Sequence, residues 1–326
     1  MRSVLRVAIF AALVLALVAG DLRAQANLAR KTPVKIIYSA LTASNGPVWV
    51  AGDQGLFEKY GLDVEIVHGR GASPIQALAG GTVELGHFAG ASVISANLAG
   101  SDLIFVAAQS NFVVLSMWTK NDSPIKSLAD LAGKRIGVSA PGSATHTIAR
   151  ITLHNVGIAE KDVKFIHHGA LPDIFVSLDK GLVDVGIASA PRPGLRELVD
   201  LATQKIPFLQ GAIIVNRSYL QRERPLVLNF VKAFVEAMKV VRERPDVVTA
   251  SLMKHLRTSQ DVARVAYRSF ANVWEEAPYV RADSVQAILD FLPKEQVKDI
   301  APEKYIDNSL VKELESSGFI KNLHIR

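Results

Sequence analysis

The feature that most constrains this chain is a repeat at an offset of one hundred residues. Ile36, Ser39 and Ala40 return as Ile136, Ser139 and Ala140; Ile66, His68 and Gly69 return as Ile166, His168 and Gly169. Leu78, Gly81, Val83 and Gly86 return as Leu178, Gly181, Val183 and Gly186, with Glu84 and Asp184 in the same register. The identities fall at equivalent places in two series of alternating strands and helices, which marks a duplicated unit. Short apolar runs alternating with helical spacing define an α/β chain of two similar lobes, each a largely parallel sheet with helices on its faces. Ligands of open α/β sheets sit beyond the carboxyl ends of the strands, so two facing lobes predict a binding cleft between them.

The second series opens with Lys134 to Thr145, which reads as a buried strand, a tight turn at Pro141-Gly142, and the start of a helix that Ser143 caps. Ile148, Ile151, Thr152 and Asn155 carry the helical spacing up to Gly157. A helix start rich in hydroxyls presents free N–H groups and the positive end of the helix dipole to an anion. Ser139, Gly142, Ser143, Ala144 and Thr145 are therefore candidate ligand residues, although capping alone needs only Ser143.

In chain order, the spacing predicts a strand over Val34 to Ser39, then a helix from Pro47 through Trp49, Leu56 and Tyr60. Strands over Leu62 to Val67, Val83 to Phe88 and Leu103 to Ala108 follow, the last two separated by a helix that Ala89-Gly90-Ala91-Ser92 opens. Val113 to Thr119 reads as one connecting strand, and Ile206 to Leu209 and Ala212 to Val215 as two short ones. The expected organisation is a first lobe of 33–115 plus 212–326, a second of 118–208, and a hinge near 113–119 and 208–215. Beyond Pro225 the pattern is helical, with an apolar stripe of Leu226, Phe230, Val231, Phe234, Val235, Met238 and Val241 that ends at Pro245.

Arg2 and Arg6 precede an apolar run from Val7 to Ala19 and a small-residue site at Ala24-Gln25-Ala26, so residues 1–26 read as a cleavable signal peptide and the mature chain as periplasmic. The absence of cysteine excludes a lipid anchor at that site, disulfides, thiol catalysis and thiolate metal sites. The formal charge of +6 includes Arg2, Arg6 and Arg23 against Asp21 in the leader, and the mild remaining bias, without basic runs, argues against nucleic acid. No metal-ligand spacing, nucleophile elbow or phosphate loop is present, so neither a cofactor nor a metal site is expected.

Gly46-Pro47-Val48-Trp49 through Gly55-Leu56-Phe57-Glu58-Lys59-Tyr60-Gly61-Leu62-Asp63-Val64-Glu65 resembles the solute-binding proteins of nitrate, sulfonate and taurine type ABC importers. The resemblance extends through Gly81-Thr82-Val83-Glu84, Ser127-Leu128-Ala129-Asp130-Leu131-Ala132-Gly133-Lys134, Gly142-Ser143, Gly181-Leu182-Val183-Asp184 and Arg244-Pro245-Asp246, and covers about Pro33 to Val248. It implies the type II periplasmic binding protein fold, two Rossmann-like lobes joined by a double-crossover hinge. It further implies a monomer that binds a small solute and reaches the membrane only through permease and ATPase partners. Glu84 stands where that family usually has Asp, and Phe88-Ala89-Gly90-Ala91 replaces a turn often richer in hydroxyls, which points to an organic ligand such as a sulfonate, a carboxylate or a pyrimidine-like compound.

His68 and His168 fall at equivalent strand ends and either face each other across the cleft or are solvated loop histidines. Arg70 offers a bidentate partner to a carboxylate or sulfonate, with Arg192 a weaker candidate. Ser44 and Asn45 sit at the first helix start, as ligand donors or as turn residues. Trp49 and Phe88 could stack on a ligand ring or belong to the core, and Gly90 lines the same turn. His87, His154 and His167 are expected to be structural. Two other functions share these features: a periplasmic sensory module, and a pyrimidine-precursor synthase or lyase of the same fold. The leader and the absence of cysteine argue against the enzymes.

Overall fold

The computed structural model describes residues 31–69, 73–169, 171–188, 193–271 and 273–323, so the expected signal peptide, Arg70 and Arg192 lie outside the described residues. The chain begins β1 (Thr32–Tyr38), α1 (Gly46–Asp53), α2 (Leu56–Lys59), β2 (Leu62–His68), α3 (Ser73–Ala79), β3 (Leu85–Phe88), α4 (Gly90–Leu98) and β4 (Leu103–Phe112). It continues with β5 (Ser116–Lys120), β6 (Arg135–Val138), α5 (Ala144–Asn155), β7 (Lys164–His167), α6 (Leu171–Asp179), β8 (Val185–Ala188) and β9 (Leu195–Asp200). Next come β10 (Pro207–Asn216), α7 (Arg217–Arg222), α8 (Arg224–Glu243), α9 (Pro245–Leu256), α10 (Gln260–Ala271) and α11 (Ala282–Leu289). The last helices are α12 (Lys294–Val297), α13 (Ser309–Ser316) and α14 (Phe319–Leu323).

Two five-stranded sheets form, in the orders β2-β1-β3-β10-β4 and β7-β6-β8-β5-β9. The repeat is visible in their pairing, since Ile36 and Gly86 stand against Leu85 and Ile37 in the first sheet as Ile136 and Gly186 stand against Val185 and Gly137 in the second. The paired acids explain why a carboxylate recurs at that register. Glu84 accepts from the Lys35 amide at 2.7 Å and Asp184 accepts from the Arg135 amide at 2.8 Å, so each lobe uses an acid before its third strand to hold its first, at mid-strand in β1 and at the start of β6. Asp184 is reinforced by the Arg135 guanidinium at 2.6 Å, and these bonds hold its carboxyl below the usual range.

The fourth strand of each sheet, β10 and β5, runs antiparallel to its neighbours. The chain passes between sheets at residues 113–115 and 201–206, and the two passages are tied by the Val113 amide to the Ile206 carbonyl at 3.0 Å and the Leu201 amide to the Leu115 carbonyl at 3.2 Å. The connecting strand expected over Val113 to Thr119 is thus a strand only from Ser116, in β5, and its first three residues form the passage. The segment 208–215, expected as a strand pair and part of the hinge, lies inside β10, because its apolar residues are buried on both faces and the strand continues through Gln210 and Gly211. β9 was not expected from the sequence: Leu195-Arg196-Glu197-Leu198-Val199-Asp200 carries charge because it is a half-exposed edge strand.

The helix expected from Pro47 to Tyr60 breaks at Gly55, whose φ of +66° a side chain would disfavour. The break aims Phe57 at Phe230 on α8, with ring centroids 4.9 Å apart, so the α8 stripe packs on this corner. Pro245 ends that stripe and opens α9. Asp53 at the end of α1 then pins α9, accepting from Ser251 Oγ at 2.6 Å, Lys254 Nζ at 2.5 Å and His255 Nε2 at 3.1 Å, while His255 stacks on Trp49 at 4.9 Å.

Burial alone would raise the Asp53 carboxyl, but the bonds from His255, Lys254 and Ser251 outweigh it and hold the group below its ordinary value. A depressed carboxyl contributes stability above the unfolded-state value near ~4 and loses it as pH falls. Asp53→Asn is expected to cost about 1–3 kcal/mol near neutral pH and to flatten the acid limb of stability, read by urea denaturation across pH. An unchanged midpoint would show that Asp53 does not pin α9.

Candidate functional site

The turn between β6 and α5 gathers three hydroxyls. Ser139 Oγ lies 2.9 Å from both Ser143 Oγ and Thr145 Oγ1, which are 3.1 Å from each other. Thr145 Oγ1 accepts from the Ser139 amide at 2.8 Å, and Ser143 Oγ accepts from Ala140 at 3.3 Å and, as the helix cap, from His146 at 3.4 Å. Ser139 Oγ donates to Ser143 Oγ, and backbone protons occupy lone pairs of Ser143 and Thr145, leaving the protons of those two hydroxyls able to turn toward an acceptor. The amides of Ala144 and Thr145 precede the first i→i−4 bond of α5, from Thr147 to Ser143, and share the positive helix end.

Gly142 shapes the turn with a φ of +68° and donates its amide to His146 Nδ1 at 3.0 Å. A Cβ on Gly142 would lie 3.2 Å from Ser95 Oγ of α4, which puts the hydroxyl turn against the first lobe. The same seam is closed on its outer side by Arg150 of α5, which donates to the Phe291 carbonyl, and by His154 edge-on to the Phe291 ring.

The first-lobe side is built differently. Asn45 is 1% exposed and braces the turn before α1, its Nδ2 donating to the carbonyls of Ala40 at 2.5 Å and Thr42 at 3.3 Å. Its Oδ1 contacts His87 Nδ1 at 2.8 Å. Ser44 Oγ lies 2.6 Å from Thr42 Oγ1. Asn45 therefore spends its Nδ2 protons on the backbone, as the turn-residue alternative expects.

The two histidines have unlike surroundings. His68 is exposed beside Tyr38, with ring centroids 5.1 Å apart. His168 turns back onto its own lobe, with Nδ1 3.2 Å from Ser177 Oγ on α6 and its other nitrogen buried near Gly137. Burial lowers the His168 pKa. Phe88 is buried in the core that runs from the first sheet into the second. Gly90 packs so tightly that a Cβ would meet Ile288 Cδ1 at 2.8 Å. Trp49 is buried between Tyr38 and His255, so its ring is not a stacking platform.

Sequence reasoning passed over Gln109 and assigned His87 to structure alone. Both lie at the carboxyl ends of strands β4 and β3, buried, with polar atoms that no protein group satisfies. The signal available was the polar run Gln109-Ser110-Asn111 directly after the apolar Leu103 to Ala108.

The two sheets with exchanged antiparallel strands form the two-lobe, double-crossover fold of the periplasmic binding proteins. The chain belongs to the NMT1/THI5-like family, whose model matches residues 43–247. The alkanesulfonate-binding protein SsuA of Xanthomonas axonopodis pv. citri, solved with MOPS bound, shares the fold with a TM-score of 0.71 at 19% identity, over 86% of this chain and 99% of that one. A protein named as an ABC transporter periplasmic binding protein in Brachyspira hyodysenteriae is 24% identical over 74% of this chain and 77% of its own length. A protein named as a binding protein in Brucella abortus is 31% identical over 43% of this chain, and the match spans 42% of that relative's length. Among the described residues, no helix is long and apolar enough to cross a membrane.

Removing the α5 cap separates local stability from any ligand role. Ser143→Ala is expected to lower stability by about 1 kcal/mol in urea denaturation, while Ser143→Asp, which still caps, restores it. Equal stability of wild type and Ser143→Ala would show that the cap contributes nothing.

Proposed function

We propose that this protein is the extracytoplasmic solute-binding component of an ABC importer, closing on a small anionic organic solute between its lobes and delivering it to the permease. The observation that carries this reading is the hydroxyl cluster of Ser139, Ser143 and Thr145 at the start of α5, set against α4 of the other lobe. An acid held there accepts from hydroxyl protons and the amides of Ala144 and Thr145, without a metal. Each lobe supplies part of the site, so a ligand that touches both favours the closed arrangement by its differential affinity. The relatives named as binding proteins support the same reading. Arg70, two positions past the end of β2 in sequence and outside the described residues, is a further proposed charged partner.

The test is a thermal-shift screen of the chain, refolded to remove carried ligand, against sulfonates, nitrate, carboxylates and pyrimidines. A ligand that binds only the folded state raises the melting temperature by mass action. At least one organic anion is expected to do so, and to make the protein more compact in small-angle scattering. Ser143→Asp, folded but carrying a negative charge at the helix start, is expected to lose that response. A full response in Ser143→Asp, or stabilisation by nitrate alone, would overturn the anion site or the organic ligand respectively.

A further inference from the structure

Where the carboxyl ends of β3 and β4 meet the start of β10, the first lobe buries polar atoms whose hydrogen-bonding needs the protein does not meet. Asn45 commits Nδ2 to two carbonyls, so its Oδ1 must accept, and His87 Nδ1 carries the proton of their 2.8 Å contact. Burial lowers the His87 pKa to about 4, so the ring is neutral and Nε2 is a bare lone pair without a partner. Gln109 is 0% exposed, and neither end of its amide is bonded. Whichever way that amide is turned, it offers one acceptor and one N–H₂ donor.

Gly211 lets these groups converge. A Cβ there would lie 2.3 Å from Gln109 Oε1 and 3.1 Å from His87 Nε2, so the two side chains converge on Gly211 and fill the volume a side chain would need. The pairing of β10 with β4 shifts register on both sides of Gly211, the kind of irregularity that re-aims groups beside binding sites. The neighbouring Glu275 carboxylate accepts from Asn111 at 3.2 Å, which makes this wall unsuited to a second anion. Buried polar groups are satisfied in native proteins, by ligand or water where protein does not supply the partner.

We propose that this wall binds an uncharged amide, lactam or imide edge of the solute, whose N–H donates to His87 and Gln109 while its carbonyl accepts from the Gln109 amide. The inference rests on the cleft reading above and specifies its ligand, with an acid at α5 and an amide edge at β3 and β4. Nitrate or a simple alkanesulfonate offers only acceptors and leaves the His87 lone pair unpaired. An ammonium satisfies the acceptors but leaves the Gln109 N–H₂ unpaired.

The experiment is calorimetric titration of the refolded chain with matched acids: succinamate, levulinate, succinate and γ-aminobutyrate, and 4-carbamoylbenzoate, 4-acetylbenzoate and terephthalate. Levulinate and 4-acetylbenzoate replace the amide nitrogen by methyl with little change of shape. In at least one series the amide is expected to bind about tenfold or more tightly than its methyl ketone, because sites built around hydrogen bonds reject analogues that lack them. In Gln109→Met, checked for a native melting transition, that ratio is expected to fall to about one; should this variant fail to fold, the wild-type comparison alone decides. Equal affinities for amide and ketone, or preference for the ammonium or the diacid, overturn the amide edge and leave the solute-binding reading standing. Binding by none of these acids also overturns it, and the wider anion screen then shows whether the cleft reading falls as well.

Discussion

Each sheet of this protein is completed by a strand that has just arrived from the other sheet, and the rest of the structure depends on that exchange. β10 lies between β3 and β4, and β5 between β8 and β9, both antiparallel in otherwise parallel surroundings. A strand bonded on both edges cannot be withdrawn without exposing two rows of backbone groups, so each lobe holds the other's chain within its sheet. The two passages run beside one another and are joined by two backbone bonds. Outside these two short segments, 113–115 and 201–206, the chain on either side belongs to one sheet or the other.

The same exchange sets the chemistry of the seam. It brings the carboxyl edges of two similar sheets together, yet their end residues differ. The second lobe presents hydroxyl protons and a helix start at Ser139, Ser143 and Thr145, an environment for negative charge. The first lobe buries a neutral imidazole and a carboxamide at His87 and Gln109, where charge would be costly. The recurring acids Glu84 and Asp184 accept backbone protons from β1 and β6, a structural need both lobes share.

The repeat, the alternation of strands and helices, the cap at Ser143 and the break around Pro245 were legible in the sequence because each depends on local periodicity or on the backbone preferences of one residue. Ser143 caps whatever its distant neighbours are, since its oxygen reaches an amide three residues on. The residues whose roles the sequence left open depend on where the chain around them is placed in three dimensions. His168 looked equivalent to His68, but Ser177 and the space beside Gly137 turn it inward. Asn45 looked like a free donor until the carbonyls of Ala40 and Thr42 were placed beside it. Gly211 carried no signal at all, because its importance lies in two side chains from two other strands.

By itself, then, the sequence determined a duplicated α/β chain with a hydroxyl-rich helix start, because hydrophobic period and turn chemistry act over a few residues. Only the tertiary structure decided which strands cross between the sheets and which polar groups are left without a partner at the seam. Strand order and burial are set by contacts between residues a hundred or more positions apart, such as Ala212 with Phe88 and Ala108, and no local pattern records them.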